Sequence, residues 1–366
     1  MARSSQPINP EPIRWSLVAP LIAVFVALVP IPAWVVDEFY SRDMYPWLQR
    51  WSTTFTNVLP FAMLDVILIV TIVAVGYRAM RLFNVARQRG VIDALWEAVR
   101  RIVRAVSIAT LLFLWAWGFN YRRLPLESAL KGGVAEQPTV EALNIAFGDA
   151  AALASRLRPQ VQTEGRLHSI GLALKDPMNV ALQSLSREPL HVPGQPKYSL
   201  VLTPFFTWSG VTGMMNPFGH ESIVLSDLLP FERPFVLAHE WAHLAGQADE
   251  AEASAVGWLA CMKGDPTLAY SANLFLIGET LAALPESSRA SLTARLDPDV
   301  RGDLEAIEIR RRQERPVVQK TASAVYDEYL RANRVADGTA SYGRALRLIL
   351  SSPFREALAG YTISVR

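Results

Sequence analysis

Residues 15–36, WSLVAPLIAVFVALVPIPAWVV, contain no charged side chain. An uncharged stretch of about 20 residues is long enough to cross the hydrocarbon core of a bilayer, and in lipid its backbone must satisfy its own hydrogen bonds as a helix. Residues 58–77, VLPFAMLDVILIVTIVAVGY, repeat the pattern with one acid, Asp65. A shorter third stretch, residues 105–119, AVSIATLLFLWAWGF, ends in the Trp115 and Trp117 pair suited to a membrane–water interface. Three transmembrane helices within residues 1–120 are therefore expected, and they account for a mean hydropathy of +0.18, high for an enzyme of 366 residues. The first stretch holds prolines and closes without a small-residue cleavage pattern, so it reads as a retained span rather than a removed signal peptide. Asp65 reads as a carboxyl facing a neighbouring helix, since a transporter built on three spans is improbable.

Arginine sets the expected orientation. Residues 78–104 carry Arg78, Arg81, Arg87, Arg89, Arg100, Arg101 and Arg104 against Asp93 and Glu97, which makes this segment a basic cytoplasmic loop. It is equally compatible with an amphipathic helix on anionic lipid. The loop 37–54 and everything after Asn120 then lie outside, in the periplasm or beyond a bacterial inner membrane. Arg122 and Arg123 stand against this rule, just past the third span. A formal net charge of +2 argues against nucleic acid as a partner. Cys261 is the only cysteine, so the chain has no internal disulfide, and its apolar neighbours mark it as a packed residue.

The chemistry is concentrated in residues 234–262, PFVLAHEWAHLAGQADEAEASAVGWLACM. On a helix, His239 and His243 are rotated by only ~40° and separated by ~6 Å along the axis, so both imidazoles can reach one metal ion. With Glu240 between them they form H-E-x-x-H, the pattern in which two histidines hold zinc and the carboxylate accepts a proton from water. Pro234 suits the first turn of such a helix and Gly246 its end. Catalytic zinc takes a third protein ligand, and three carboxylates follow: Asp249, Glu250 and Glu252. Asp249 has metzincin-like spacing, whereas Glu250 opens a segment like the E-x-x-A-D of gluzincins, in which the residue four later supports a ligand. Glu250 is preferred, then Glu252, then Asp249. Acidic residues at a helix start are favoured electrostatically in any case, which accounts for those that do not bind.

Residues 121–366 are expected to form one extracytoplasmic domain of mostly helical α+β type with a small sheet. Thr139 looks like the cap of a helix ended by Arg158-Pro159, and a second helical run covers 176–187. The stretches 198–202 and 221–225 read as strands around the glycine-rich TWSGVTGMMNPFGHES, placed where a zinc peptidase pairs an edge strand with extended substrate. His220 and Glu221 read as a strand-entry turn. Prolines 266, 285, 298 and 316 divide the remainder into helices over 267–284, 287–296, 299–314 and 318–333. Tyr326, Tyr342 and Arg344 are candidates to stabilise an oxyanion opposite the metal, with helix packing as their competing role.

The segments LWAWGFNYRRLPL, MMNPFGHESIVL, AHEWAHLAGQADEAEASAVGWLAC and YDEYLRANRVADGTASYGR, in this order behind three hydrophobic segments, resemble a bacterial domain-of-unknown-function family, family 3810. Its members are membrane-anchored and look like gluzincin zinc peptidases. The resemblance implies an extracytoplasmic peptidase domain with His239, Glu240 and His243 in the motif positions. It also lays the family's E-x-E-A-N segment on Glu250 to Ser254, favouring Glu250 or Glu252 over Asp249. Ser254 departs from the Asn of that family and the Asp of gluzincins. The resulting expectation is a membrane-anchored Zn2+ peptidase acting on a peptide or protein. The alternative is a zinc-stabilised membrane scaffold or binding protein, against which the presence of Glu240 argues, because a structural site needs no general base.

Overall fold

The computed structural model describes residues 13–130, 137–162, 166–335 and 343–359. Tyr342 lies outside them. The described residues are mostly helical, with one two-stranded antiparallel sheet.

The apolar amino-terminal third is helical, but its boundaries differ from the expected spans. The first helix, Ile13–Leu28, stops before Pro30 and Pro32, which lack a backbone donor. The chain then bends by 105° into a second helical stretch, Ala33–Val58, so the expected outer loop 37–54 is helix. Its residues Val36–Met44 are π-helical, and the wider turn brings Val36, Asp37, Tyr40 and Ser41 to the buried side. Helix Met63–Arg89 follows Pro60 and is long and apolar enough to cross a membrane. Helix Ile13–Leu28 contributes a second span only if its bent pair is counted as one. The third expected span is the apolar end of a longer helix, Val91–Ala116, which carries Asp93, Glu97, Arg100, Arg101 and Arg104 ahead of that end. Likewise 78–104 is no loop. It is the ends of these two long helices, turned back at Gly90 with φ +99°, a conformation glycine adopts without a Cβ penalty.

The partners of Asp65 lie in the segment before helix Thr203–Ser209 and not on a neighbouring long helix. The Asp65 carboxylate accepts hydrogen bonds from the Ser199 hydroxyl and, at 2.7 Å, the Leu200 amide. This anchoring explains why 198–202 is not a strand: only Lys197 makes a β-bridge, to Ile223, and the chain turns directly into helix Thr203–Ser209. The sheet consists of β1 (Gly213–Asn216) and β2 (Glu221–Val224), with Gly213 opposite Val224. Glu221 is buried and caps the start of helix Met63–Arg89, accepting from the Met63 and Leu64 amides at 3.0 and 2.9 Å. A carboxylate there satisfies donors that the helix itself leaves unpaired.

The Thr139 cap forms, its hydroxyl accepting from the Ala142 amide at 3.1 Å. The second helical run begins earlier than expected, at Leu167–Ser184, and includes Pro177. The proline-punctuated helices are Pro266–Ala283, Glu286–Ala294, Pro298–Arg311 and Pro316–Ala332. The core centres on helices Arg233–Leu244 and Glu250–Met262, the second of which is buried along its whole length. They cross closely at Gly257, where a Cβ would lie 2.9 Å from the His239 amide nitrogen. Cys261 is buried here, as its neighbours suggested.

Arg122 and Arg123 are not free charges on the wrong side of a membrane. Arg122 donates to the Val26 and Ala27 carbonyls at the end of the first helix, where orphan acceptors remain. Arg123 is buried against Asp37, at 3.1 Å, and the Gly246 carbonyl, at 3.2 Å.

Candidate metal centre

Gly246, at φ +84°, turns the chain so that helix Glu250–Met262 packs against helix Arg233–Leu244. His239 Nε2 and His243 Nε2 are 3.0 Å apart, and Glu250 places its carboxylate oxygens 3.2 Å from the first and 3.6 Å from the second. Ligands at ~2.0–2.2 Å from a tetrahedral zinc stand roughly 3.3–3.6 Å from one another, so separations of 3.0, 3.2 and 3.6 Å need open by only a few tenths of an ångström for these side chains to fit such an ion. Among the described residues, His239, His243 and Glu250 form a group able to hold one.

The remaining imidazole nitrogens are also engaged. His243 Nδ1 lies 2.7 Å from the Gln247 carbonyl and His239 Nδ1 lies 3.2 Å from the Ser254 hydroxyl. Such partners fix ring orientation and leave Nε2 for the metal. Ser254 therefore serves the supporting position with a hydroxyl, and it supports His239. Without an ion, burial alone would raise the Glu250 carboxyl and lower the His243 imidazole; their mutual attraction reverses both, holding Glu250 low and His243 high.

Glu252 and Asp249, the other two possible ligands, are turned elsewhere. Glu252 is two positions along the helix, about 200° around it. It accepts from the Leu126 amide at 2.6 Å and lies 3.7 Å from Arg187. Asp249 is the N-cap of helix Glu250–Met262, accepting from the Ala251 and Glu252 amides at 3.0 and 3.1 Å. Arg344 pairs with Asp249 at 2.8 Å, and this contact gives it a bracing position at the cap. Tyr326 is brought to the centre, its hydroxyl donating to Glu250.

Glu240 is buried beside the cluster. Burial raises its pKa, the two imidazoles oppose that shift, and Glu250 adds to it; the net direction is upward. Strand β1 closes over this carboxylate at Gly213, where a Cβ would meet Glu240 Oε1 at 2.5 Å. His220 stays apart from the cluster, its Nε2 3.0 Å from the Ala116 carbonyl.

A family model described as a protein of unknown function, DUF3810, matches residues 40–350. The chain belongs to this family. No curated protein and no solved structure matches it. The DUF3810 match spans His239, His243 and Glu250, as well as Glu240, Tyr326 and the bent helix from within its π-helical part onward.

Sequence reasoning missed an aromatic wall. Trp117, the residue after helix Val91–Ala116, donates its indole N–H to the His243 carbonyl at 3.3 Å and packs edge-on against the imidazole. Tyr121 crosses Trp117 and Tyr329, and Tyr329 stacks on Tyr326. The i, i+3 spacing of Tyr326 and Tyr329 hinted at a shared face; nothing local pairs Trp117 with His243.

Proposed function

We propose that this DUF3810 member is a membrane-anchored zinc peptidase of gluzincin type, with its catalytic domain outside the cytoplasmic membrane. The observation that carries the reading is the convergence of His239 Nε2, His243 Nε2 and a Glu250 oxygen at zinc-ligand spacing, with Glu240 buried beside them.

Bound zinc would supply a Lewis acid for the scissile carbonyl and make a neighbouring water more acidic. Glu240 accepts a proton from the attacking water as that oxygen adds to the carbonyl carbon. It returns the proton to the amide nitrogen as the C–N bond breaks. A carboxyl raised by burial is suited to both transfers. The Tyr326 hydroxyl, already at Glu250, is placed to donate to the developing oxyanion. Strand β1 offers backbone groups to an extended substrate beside the general base.

The test is metal content and hydrolysis measured together on detergent-purified protein. Wild type should hold about one zinc per chain, Glu250→Ala should lose it and Glu252→Ala should keep it. Glu240→Gln should keep zinc while cleaving an unfolded protein such as β-casein ~10²–10⁴-fold more slowly. Zinc retained by Glu250→Ala would overturn the ligand assignment. Equal cleavage by wild type and Glu240→Gln would overturn the peptidase reading.

A further inference from the structure

The bent helix Ala33–Val58 has a face that none of the described residues covers. Met44, Trp47, Trp51, Phe55 and Val58 recur at intervals of three and four, and so form one stripe that runs from the last π-helical residue along the α-helical part. All five are exposed, Trp51 by 60% and Val58 by 79%. The opposite face docks on the domain: Gln49 donates to the Val192 carbonyl, Thr53 to the His220 carbonyl, and Asn57 to the Pro193 carbonyl. The stripe is thus turned away from the domain.

We infer that this stripe is a lipid-facing surface, seated in the headgroup and upper acyl region of the bilayer, and that it holds the candidate metal centre at membrane level. The inference rests on the membrane-anchored reading above. Its occupant is indicated by chain continuity. The helix is bent 105° from Val18–Leu28, which lays it within about 15° of the membrane plane if that first segment runs along the normal. Five residues after Val58 the chain enters Met63–Arg89, the helix able to cross a membrane, and that short connection spans at most ~18 Å. On the membrane-anchored reading the apolar helix Ile13–Leu28 also enters the bilayer, and a helix tied at both ends to membrane-entering segments lies at their boundary. Trp47 and Trp51 match the chemistry of that boundary, because an indole combines a large apolar ring with one N–H that the headgroup region can satisfy.

A second apolar element stands at the same level. Leu200 is 84% exposed although its amide is tied to Asp65 in the first turn of Met63–Arg89. Phe205, on the short helix that follows, is also exposed. The metal centre is coupled to this layer by direct contacts. Tyr45, on the buried face of the bent helix, donates to the Leu244 carbonyl at 2.9 Å, one residue beyond His243. Trp117, at the end of the apolar helix Val91–Ala116, bonds the His243 carbonyl itself. Substrates within reach are therefore polypeptide segments lying at the membrane surface.

The single native cysteine is buried, so a cysteine added at the surface can be spin-labelled selectively. Full-length protein in phospholipid nanodiscs would carry a nitroxide at Trp51→Cys or Phe55→Cys. Val70→Cys, exposed in the apolar first half of Met63–Arg89, serves as the membrane control, and Glu305→Cys as the aqueous one. The readout is collision with oxygen, which partitions into lipid, relative to a water-soluble nickel chelate. The expected ratio at 51 and 55 is well above that at 305 and below that at 70. Two positions on uncovered side chains preserve the test if one variant folds poorly. Nickel-favoured values at 51 and 55, with 70 still oxygen-favoured, would overturn the inference and leave the membrane reading intact. Immobilised labels shielded from both reagents would also overturn it, in favour of a protein partner or a second copy. A nickel-favoured value at 70 would defeat the membrane reading itself.

Discussion

A Cβ on Gly213 would lie 2.5 Å from Glu240 Oε1 and 2.9 Å from its Cγ. Both are side-chain atoms, so a methyl group there would push the carboxylate aside and leave the backbone in place. Gly213→Ala is expected to retain zinc and melting temperature while kcat falls by roughly 10–100-fold, since a displacement of about 1 Å in a catalytic group can cost that much. Unchanged kcat would mean that Glu240 does not depend on β1 for its position. His220 supplies a second prediction. Burial pushes its imidazole down to about 4, against a smaller upward pull from the Ala116 carbonyl. Between about pH 6.5 and 4 the unfolded chain binds a proton that the folded chain refuses, so stability falls with pH across that window, by up to roughly 3 kcal/mol. His220→Asn, which tolerates the left-handed backbone at φ 46°, should start less stable at pH 7 yet lose less on acidification. Thermal melts of both proteins at pH 7 and pH 4.5 would show this, and parallel losses would contradict it. Asp37 titrates in a separate, more acidic window: burial would raise its carboxyl, but Arg42, Arg123 and Arg187 together hold it below 3.8.

Helix Glu250–Met262 brings Glu250, the candidate third ligand, to the two histidines, and it can do so only because it lies against helix Arg233–Leu244. The limiting contact is Gly257, where an added Cβ would meet the His239 amide at 2.9 Å and the Ala238 carbonyl carbon at 3.1 Å. These are backbone atoms and cannot rotate away. Gly257→Ala is expected to cost about 1–3 kcal/mol by overpacking and, because the helices must separate, to weaken zinc binding as well. A variant with full zinc affinity and a lowered melting temperature would show that the ligand geometry tolerates the shift. The same helix explains the division of labour among three neighbouring acids. Asp249 caps it, Glu250 faces the histidines, and Glu252 faces Arg187 and the Leu126 amide.

Across the whole molecule, a buried charge network ties the amino-terminal helices to the core that carries the candidate metal centre. Asp37, on the bent helix, contacts Arg123 just beyond helix Val91–Ala116 and Arg187 beyond helix Leu167–Ser184; Arg187 reaches on to Glu252. Removing one partner of such a set leaves a buried charge unpaired, which typically costs about 3–5 kcal/mol. Asp37→Ala should therefore lower the melting temperature of the entire protein, whereas Arg100→Ala, in an exposed pair with Glu97, should have little effect. Equal melting temperatures for the two variants would show that the network carries no stability.

What the sequence determined by itself is what short-range chemistry encodes. The spacing of His239 and His243, the Thr139 cap, the proline stops and the apolar stretch of Met63–Arg89 each depend on residues within a few turns of one another. The stripe of Met44, Trp47, Trp51 and Phe55 is just as local, but all of it except Phe55 falls in 37–54, which its place between two expected spans marks as a loop. That Glu250 lies beside the two histidines while Glu252 is turned elsewhere was decided only by tertiary structure, because it depends on the rotation of one helix against another. So were the partners of Asp65, Arg122, Arg123 and Trp117, which lie across the fold from them. A charge or an indole states which partner it needs, but its sequence neighbours do not specify where the folded chain will supply one.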